Sequence, residues 1–207
     1  NLAAGVGIEN ADEIVPISEM KDLVLDRTGA QPGTIGGFFK LNPKVDDLPD
    51  ALSARLDNIK LMRLGGVKKG GSGCICPEST LLRALVMHIV LARDEVVVMD
   101  MEAGIEHLGR ATAKAVDKLI VVVEPGRRSI DTAEHIRRLA AEIGLNSIAV
   151  VGNKIRGDKD REFLQKHLDD FEFLGFLLYD DALIEADLNG LSPFDVESPS
   201  KAQVESM

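Results

Sequence analysis

Short apolar runs alternate with longer segments in which apolar residues recur every three or four positions. Glu95-Val96-Val97-Val98-Met99-Asp100 has no alternation and ends in a carboxylate, as a strand buried on both faces does. Leu119 to Val123 is a second such run, stopped by Glu124-Pro125. Ser147 to Lys154 is a third and Phe171 to Phe176 a weaker fourth, with Asn58 to Leu64 a further strand upstream. Between them, Glu78 to Arg93 places Leu81, Leu82, Leu85, Val86, Ile89 and Val90 on one helical stripe. Ser129 to Ile143 reads as a helix capped by its serine and stopped before Gly144, and Asp160 to Leu168 as a shorter one. Strands alternating with helices predict an α/β fold, a doubly wound, mostly parallel sheet with helices on both faces.

The remaining stretches are less regular. Residues 29–57 are rich in Gly, Pro and Asp and read as an irregular insertion, with Phe38-Phe39-Lys40-Leu41 as a short strand. Residues 192–207 are polar and read as a flexible tail. The whole of 1–207 reads as a single domain.

Composition changes the picture in two ways. With no tryptophan, one tyrosine and 45% hydrophobic residues, the core is built from Val, Ile, Leu and Ala, as in a covered parallel sheet. A formal net charge of −10 argues against a nucleic-acid surface. The sequence holds no apolar stretch near the roughly 20 residues that span a bilayer, so no membrane partner is expected and a reduced, cytoplasmic setting is.

The only two cysteines stand one residue apart in Gly73-Cys74-Ile75-Cys76-Pro77. A disulfide across one residue closes a strained ring, and two thiolates are half the ligands of a structural metal site. A second copy of the chain completes the set, which predicts a metal shared across a homodimer by Cys74 and Cys76 of each subunit. The plain alternative is two small residues in a glycine-rich loop.

Two strand ends carry further chemistry. Asp100, followed by Ala103-Gly104 and Glu106-His107, matches the Asp-x-x-Ala-Gly-x-Glu switch of P-loop nucleotide hydrolases; its bland counterpart is a strand-capping Asp before an ordinary helix. Asn153-Lys154 ends the third run. Asn offers both a donor and an acceptor to a base edge, and a Lys stem can cover a base plane. The alternative there is a turn residue tolerant of left-handed geometry. Tyr179-Asp180-Asp181, after the last strand, falls where a further base-lining loop belongs. Lys69-Gly70-Gly71-Ser72-Gly73 imitates the opening of a phosphate loop but runs on into Cys74-Ile75, without the Lys and Thr that hold phosphate and magnesium.

Leu61-Met62-Arg63-Leu64-Gly65, Lys68 to Cys76, Val98 to Leu108 and Thr112 to Asp117 together resemble the CooC-type accessory ATPases of carbon monoxide dehydrogenase, relatives of MinD and ParA in the SIMIBI class of P-loop proteins. The resemblance runs from about Leu2 to Gly190. It implies a homodimer that binds and hydrolyses ATP with Mg²⁺, holds Ni²⁺ or Zn²⁺ at Cys74 and Cys76 of two subunits, and assists nickel insertion into the dehydrogenase. Asp100 is then the carboxylate at the magnesium and attacking-water end, Gly104 lies in the second switch, and Asn153 and Lys154 bind adenine in ATP or ADP. The family's first strand, variant P-loop and first helix have no counterpart before Asn1, so hydrolysis by the chain as it stands is not expected. Three competitors remain: a positioning or partition ATPase, which wants an amphipathic membrane helix or a basic DNA surface; an iron–sulfur electron carrier, which wants more widely separated cysteines; and a non-hydrolysing fragment that only dimerises or binds a partner.

Overall fold

The computed structural model describes residues 2–8, 13–31, 38–65, 77–92, 95–101 and 116–206. In chain order their helices are α1 (Leu2–Gly5), α2 (Lys21–Thr28), α3 (Leu48–Leu52), α4 (Pro77–Ala92), α5 (Arg127–Ile143), α6 (Asp158–His167), α7 (Asp181–Leu188) and α8 (Pro199–Glu205), with a 3₁₀ turn at Ile17–Glu19. The strands are β1 (Ala54–Leu56), β2 (Ile59–Leu61), β3 (Leu119–Val123), β4 (Ile148–Ile155) and β5 (Glu172–Leu178). Two compact units divide them, Gly7–Val98 and Leu2–Val6 with Met99 onward. Among the described residues no helix is long and apolar enough to cross a membrane.

In the first unit, α4 follows the predicted stripe: Leu81 and Leu85, one turn apart, are fully buried and pack with Ile17, Val24, Val45 and Leu48. The Asn58–Leu64 run is shorter than expected and antiparallel. It forms a hairpin in which Leu56 faces Ile59 across Asp57-Asn58, with Asp57 at a φ of 48°. Asp tolerates that left-handed geometry, so a two-residue turn closes the hairpin. Part of the stretch read as irregular is tied down. Arg27 Nη1 and Nη2 donate to the two carboxylate oxygens of Asp47 at 2.9 and 2.7 Å, joining α2 to the start of α3.

The second unit contains a parallel sheet of order β3-β4-β5. β3 and β4 each feed a helix that leads to the neighbouring strand, the βαβ connection that parallel pairing requires. Ile130, Ala133, Ile136 and Ala140 make one buried face of α5 and pack with Val121, Val123 and Val150, while α6 contributes Leu164. On β3 the pleat sends Ile120 and Val122 to the opposite side, where both are exposed. The α/β fold with a parallel sheet and flanking helices is the one expected.

Three local readings are corrected. Ser129 does not cap α5, which starts at Arg127 after Gly126; its Oγ accepts instead from the Glu124 N–H at 2.9 Å. The link between β3 and α5 is only Glu124-Pro125-Gly126, so the hydroxyl reaches the strand's last free amide. The run Glu95–Asp100 is not a strand. Val96 is 96% exposed and Val98 81%, because an apolar run becomes a buried strand only between two others, and among the described residues no strand pairs with it. Finally, the tail carries α8, capped by the Ser198 side chain, which accepts from the Lys201 N–H.

Candidate functional site

Loops from three parallel strands meet at the carboxyl end of the sheet, the edge at which open α/β folds bind ligands. Glu124 follows β3, Asn153 and Lys154 lie in the last turn of β4, and Tyr179 follows β5. The β4–β5 register slips between Gly152 and Ile155, where three β4 steps span two of β5. This is a bulge, and Lys154 takes its left-handed position at a φ of 56°. Bulges re-aim side chains beside functional sites. Here the Asn153 Oδ1 turns back to accept from the Lys154 N–H at 2.9 Å, leaving its amide NH₂ as a donor.

The Lys154 ammonium meets Glu124 Oε1 at 2.7 Å and so bridges the β3 and β4 loops. Both side chains are more than half exposed, which limits that pair to less than about 1 kcal/mol. The contact is one a ligand can displace at small cost. One residue beyond β4, the Arg156 guanidinium lies 4.8 Å from the centroid of the Tyr179 ring, and the backbone N–H of Arg156 donates to Asp160 Oδ2 at 2.8 Å. The Tyr179 N–H in turn donates to the Ile155 carbonyl at 2.9 Å. An open cleft of about 260 Å³ runs along Arg156, Gly157, Asp158, Lys159 and Asp160. That is below the roughly 300–1,000 Å³ of whole-ligand pockets.

Gly152 makes this corner possible. A Cβ there would stand 2.5 Å from Phe176 Cδ1 and 3.1 Å from Leu164 Cδ1, so only glycine lets β4 approach the ring.

Asp180 anchors the far side. Its Oδ1 accepts from the Ala182 N–H at 3.0 Å, capping α7, and its Oδ2 accepts from the Ser200 N–H at 3.3 Å. Burial alone would raise its pKa, but hydrogen bonds from the Ser200 and Ala182 amides and the Ser200 and Ser198 hydroxyls outweigh it and hold the carboxyl below its ordinary 3.8. The stability that this depressed value contributes is fully present above pH 3.8 and is lost as pH falls through the folded value. Acid titration followed by tyrosine emission is expected to show a transition below that pH in the wild type and none at the same place in Asp180→Asn.

The structure thus places two pairs at the carboxyl end of the sheet, Lys154 with Glu124 and Arg156 with Tyr179, with Asn153 folded back on the Lys154 N–H. Asp100 is placed elsewhere on the same unit: it is exposed between Met99 and Met101, both packed on the unit's core, and makes no hydrogen bond or ion pair with a described residue. Cys74, Cys76, Gly104 and His107 lie outside the described residues. Among the described residues no three His, Cys, Asp or Glu side chains gather as a metal site would require. Glu124 and Arg156 were not singled out by the sequence. The signal for each is a charged residue immediately after an apolar strand, the same one that flagged Asp100.

A parallel three-stranded sheet flanked by helices, with polar residues at the carboxyl ends of its strands, defines an α/β domain of the P-loop-like type. No family model matches the chain. It is 44% identical over 198 residues to the carbon monoxide dehydrogenase accessory protein CooC of Rhodospirillum rubrum, covering 95% of this chain and 75% of that protein. It is likewise 44% identical over 207 residues to an uncharacterized ATP-binding protein of Methanocaldococcus jannaschii, covering 99% of this chain and 79% of the relative. The chain belongs to the CooC family.

Proposed function

We propose that this chain is the nucleotide- and metal-handling part of a cytoplasmic accessory ATPase that assists nickel insertion into carbon monoxide dehydrogenase. The observation that carries the reading is the identity to CooC over 95% of the chain, supported by the corner at the end of β4. There Asn153 offers amide donors and an acceptor lone pair to an adenine edge, and Lys154, once released from Glu124, lays its stem along the base plane.

In this reading ATP and ADP are the nucleotides, with Mg²⁺ supplying Lewis acidity at the phosphates when bound. Asp100 holds the magnesium and water end, and Gly104 gives the following switch its backbone freedom. The Cys74 and Cys76 thiolates of two subunits hold Ni²⁺ or Zn²⁺, and subunit closure on ATP changes their geometry. Such coupling requires that nucleotide and metal each favour one of two dimer states.

Calorimetric titration tests the nucleotide half. Asn153→Ala is expected to weaken ATP binding by about 3–10-fold, the worth of a net hydrogen bond, in the chain and in a version extended upstream by a Lys-Gly-Gly-x-Gly-Lys-Thr loop. Equal ATP affinity in the wild type and the variant would refute the base site.

A further inference from the structure

The helix α8 docks on β5 through hydrogen bonds to the backbone of Leu178 and the side chain of Asp180, the two neighbours of Tyr179. Leu178 is the last residue of β5. Its N–H donates to Gln203 Oε1 at 3.0 Å, and its carbonyl accepts from Ser200 Oγ at 3.3 Å. An edge strand leaves such groups unpaired, so the two side chains stand in for a further strand. If α8 only protected an edge, its contacts would end at Leu178. They do not. The Ser200 N–H also binds Asp180 Oδ2, past the end of the strand, and the same carboxylate caps α7. Ser200 is 3% exposed, so its own hydrogen bonds are shielded from water, while Asp180 and Gln203 are half-buried.

Tyr179 therefore sits between two anchored neighbours, Leu178 and Asp180, while its own N–H is held by the Ile155 carbonyl of β4. The ring emerges with Arg156 over it, beside the bulge that carries Asn153 and Lys154. Holding the backbone of one neighbour and the side chain of the other restricts the φ/ψ freedom of the residue between them. That is how a binding surface is preorganised without touching the ligand.

We infer that Ser200 and Gln203 are positioning residues of the base site: α8 sets the conformation of Tyr179–Asp181, and through it the aromatic wall that discriminates one nucleobase from another. The inference rests on the reading that the base binds at Asn153. It gives the C-terminal segment a role in selectivity and separates that role from general stability.

The protein carries its own reporter, since Tyr179 is its single tyrosine and it has no tryptophan. Gln203→Leu removes the acceptor for the Leu178 N–H, Gln203→Glu keeps one, and Ser200→Ala removes the hydroxyl. In the full-length protein, Gln203→Leu and Ser200→Ala are expected to raise acrylamide quenching of tyrosine emission. They should also weaken ATP binding about 3–10-fold and move the ATP-to-GTP affinity ratio toward one. Gln203→Glu should retain the wild-type ratio. A merely structural α8 would lower the unfolding midpoint in Gln203→Leu and Ser200→Ala and leave the ratio alone in every variant, and that result overturns the inference. Should either disruptive variant fail to fold, the ratio in the other and in Gln203→Glu decides. Asn153→Ala, titrated in parallel, separates the two ideas. If it loses ATP affinity while the α8 variants keep wild-type selectivity, only the role of α8 is wrong. If it loses none, the base site is wrong and the role of α8 falls with it.

Discussion

Gly152→Ala is expected to destabilise the protein by about 1–3 kcal/mol and Gly152→Val by more, the range for overpacking a filled core. The added Cβ meets Phe176 Cδ1 at 2.5 Å and Cε1 at 2.9 Å, and Leu164 Cδ1 at 3.1 Å. The ring cannot easily yield. Phe173 stacks on it with centroids 5.1 Å apart and planes 20° apart, and the Arg161 guanidinium lies 5.7 Å from its centroid. Moving it would disturb α6 and β5 together. For alanine this corresponds to a fall in unfolding midpoint of roughly 2–12 °C, with nucleotide affinity falling too because Asn153 is the next residue. Thermal denaturation checks it. Phe176→Leu in the Gly152→Ala background should return part of the loss, a coupling that a double-mutant cycle measures. A Gly152→Ala protein that melts with the wild type would show that the approach of β4 to Phe176 is not tight.

The largest functional effect is expected from Cys74→Ser combined with Cys76→Ser. These are the only two thiols in the chain, and a serine hydroxyl stays protonated at neutral pH where a metal-bound thiol does not. Losing an orienting residue behind a ligand already costs about 10–100-fold in metal affinity, so losing both ligands should abolish nickel and zinc binding altogether. The wild type should retain about one metal per dimer after dialysis, the number that four thiolates imply. Elemental analysis with sedimentation on the same sample reads both quantities. Asn153→Ala should hold metal normally. A double serine variant that keeps wild-type metal content would remove the shared thiolate site from the account.

The legible parts of the fold are those in which one chain segment decides its own burial. The stripe of α4, the Gly144 stop of α5 and the apolar runs of β3 and β4 carry their periodicity within a window of a few residues. They come out within about two residues of expectation. What failed depends on neighbours. Val96 and Val98 have the composition of a buried strand, yet composition cannot supply the flanking strands that bury it. The hairpin at Asp57-Asn58 turns on backbone geometry at one aspartate. The same division holds for the site. Asn153 and Lys154 are visible as polar residues ending an apolar run. The Glu124–Lys154 ion pair and the Arg156–Tyr179 stack exist only because β3 and β5 both flank β4, and strand order is not written in any single segment.

The β4 bulge has a counterpart, and the two together behave as a phase correction. Val150 faces Phe173, 23 positions later; Val151 and Gly152 face Gly175 and Phe176, 24 later; Ile155 faces Leu178, 23 later again. The residue that β5 gains after Phe173 is repaid when β4 gains one after Gly152. Each insertion also inverts the parity of its own strand. Val150 and Ile155, an odd number of positions apart, therefore share one core, and Phe173 and Phe176 can stack. A deletion in only one of the strands would leave Asn153 and Tyr179 one residue out of step. The corner between them is kept in register by two irregularities that cancel, so insertions and deletions here are tolerable only in pairs.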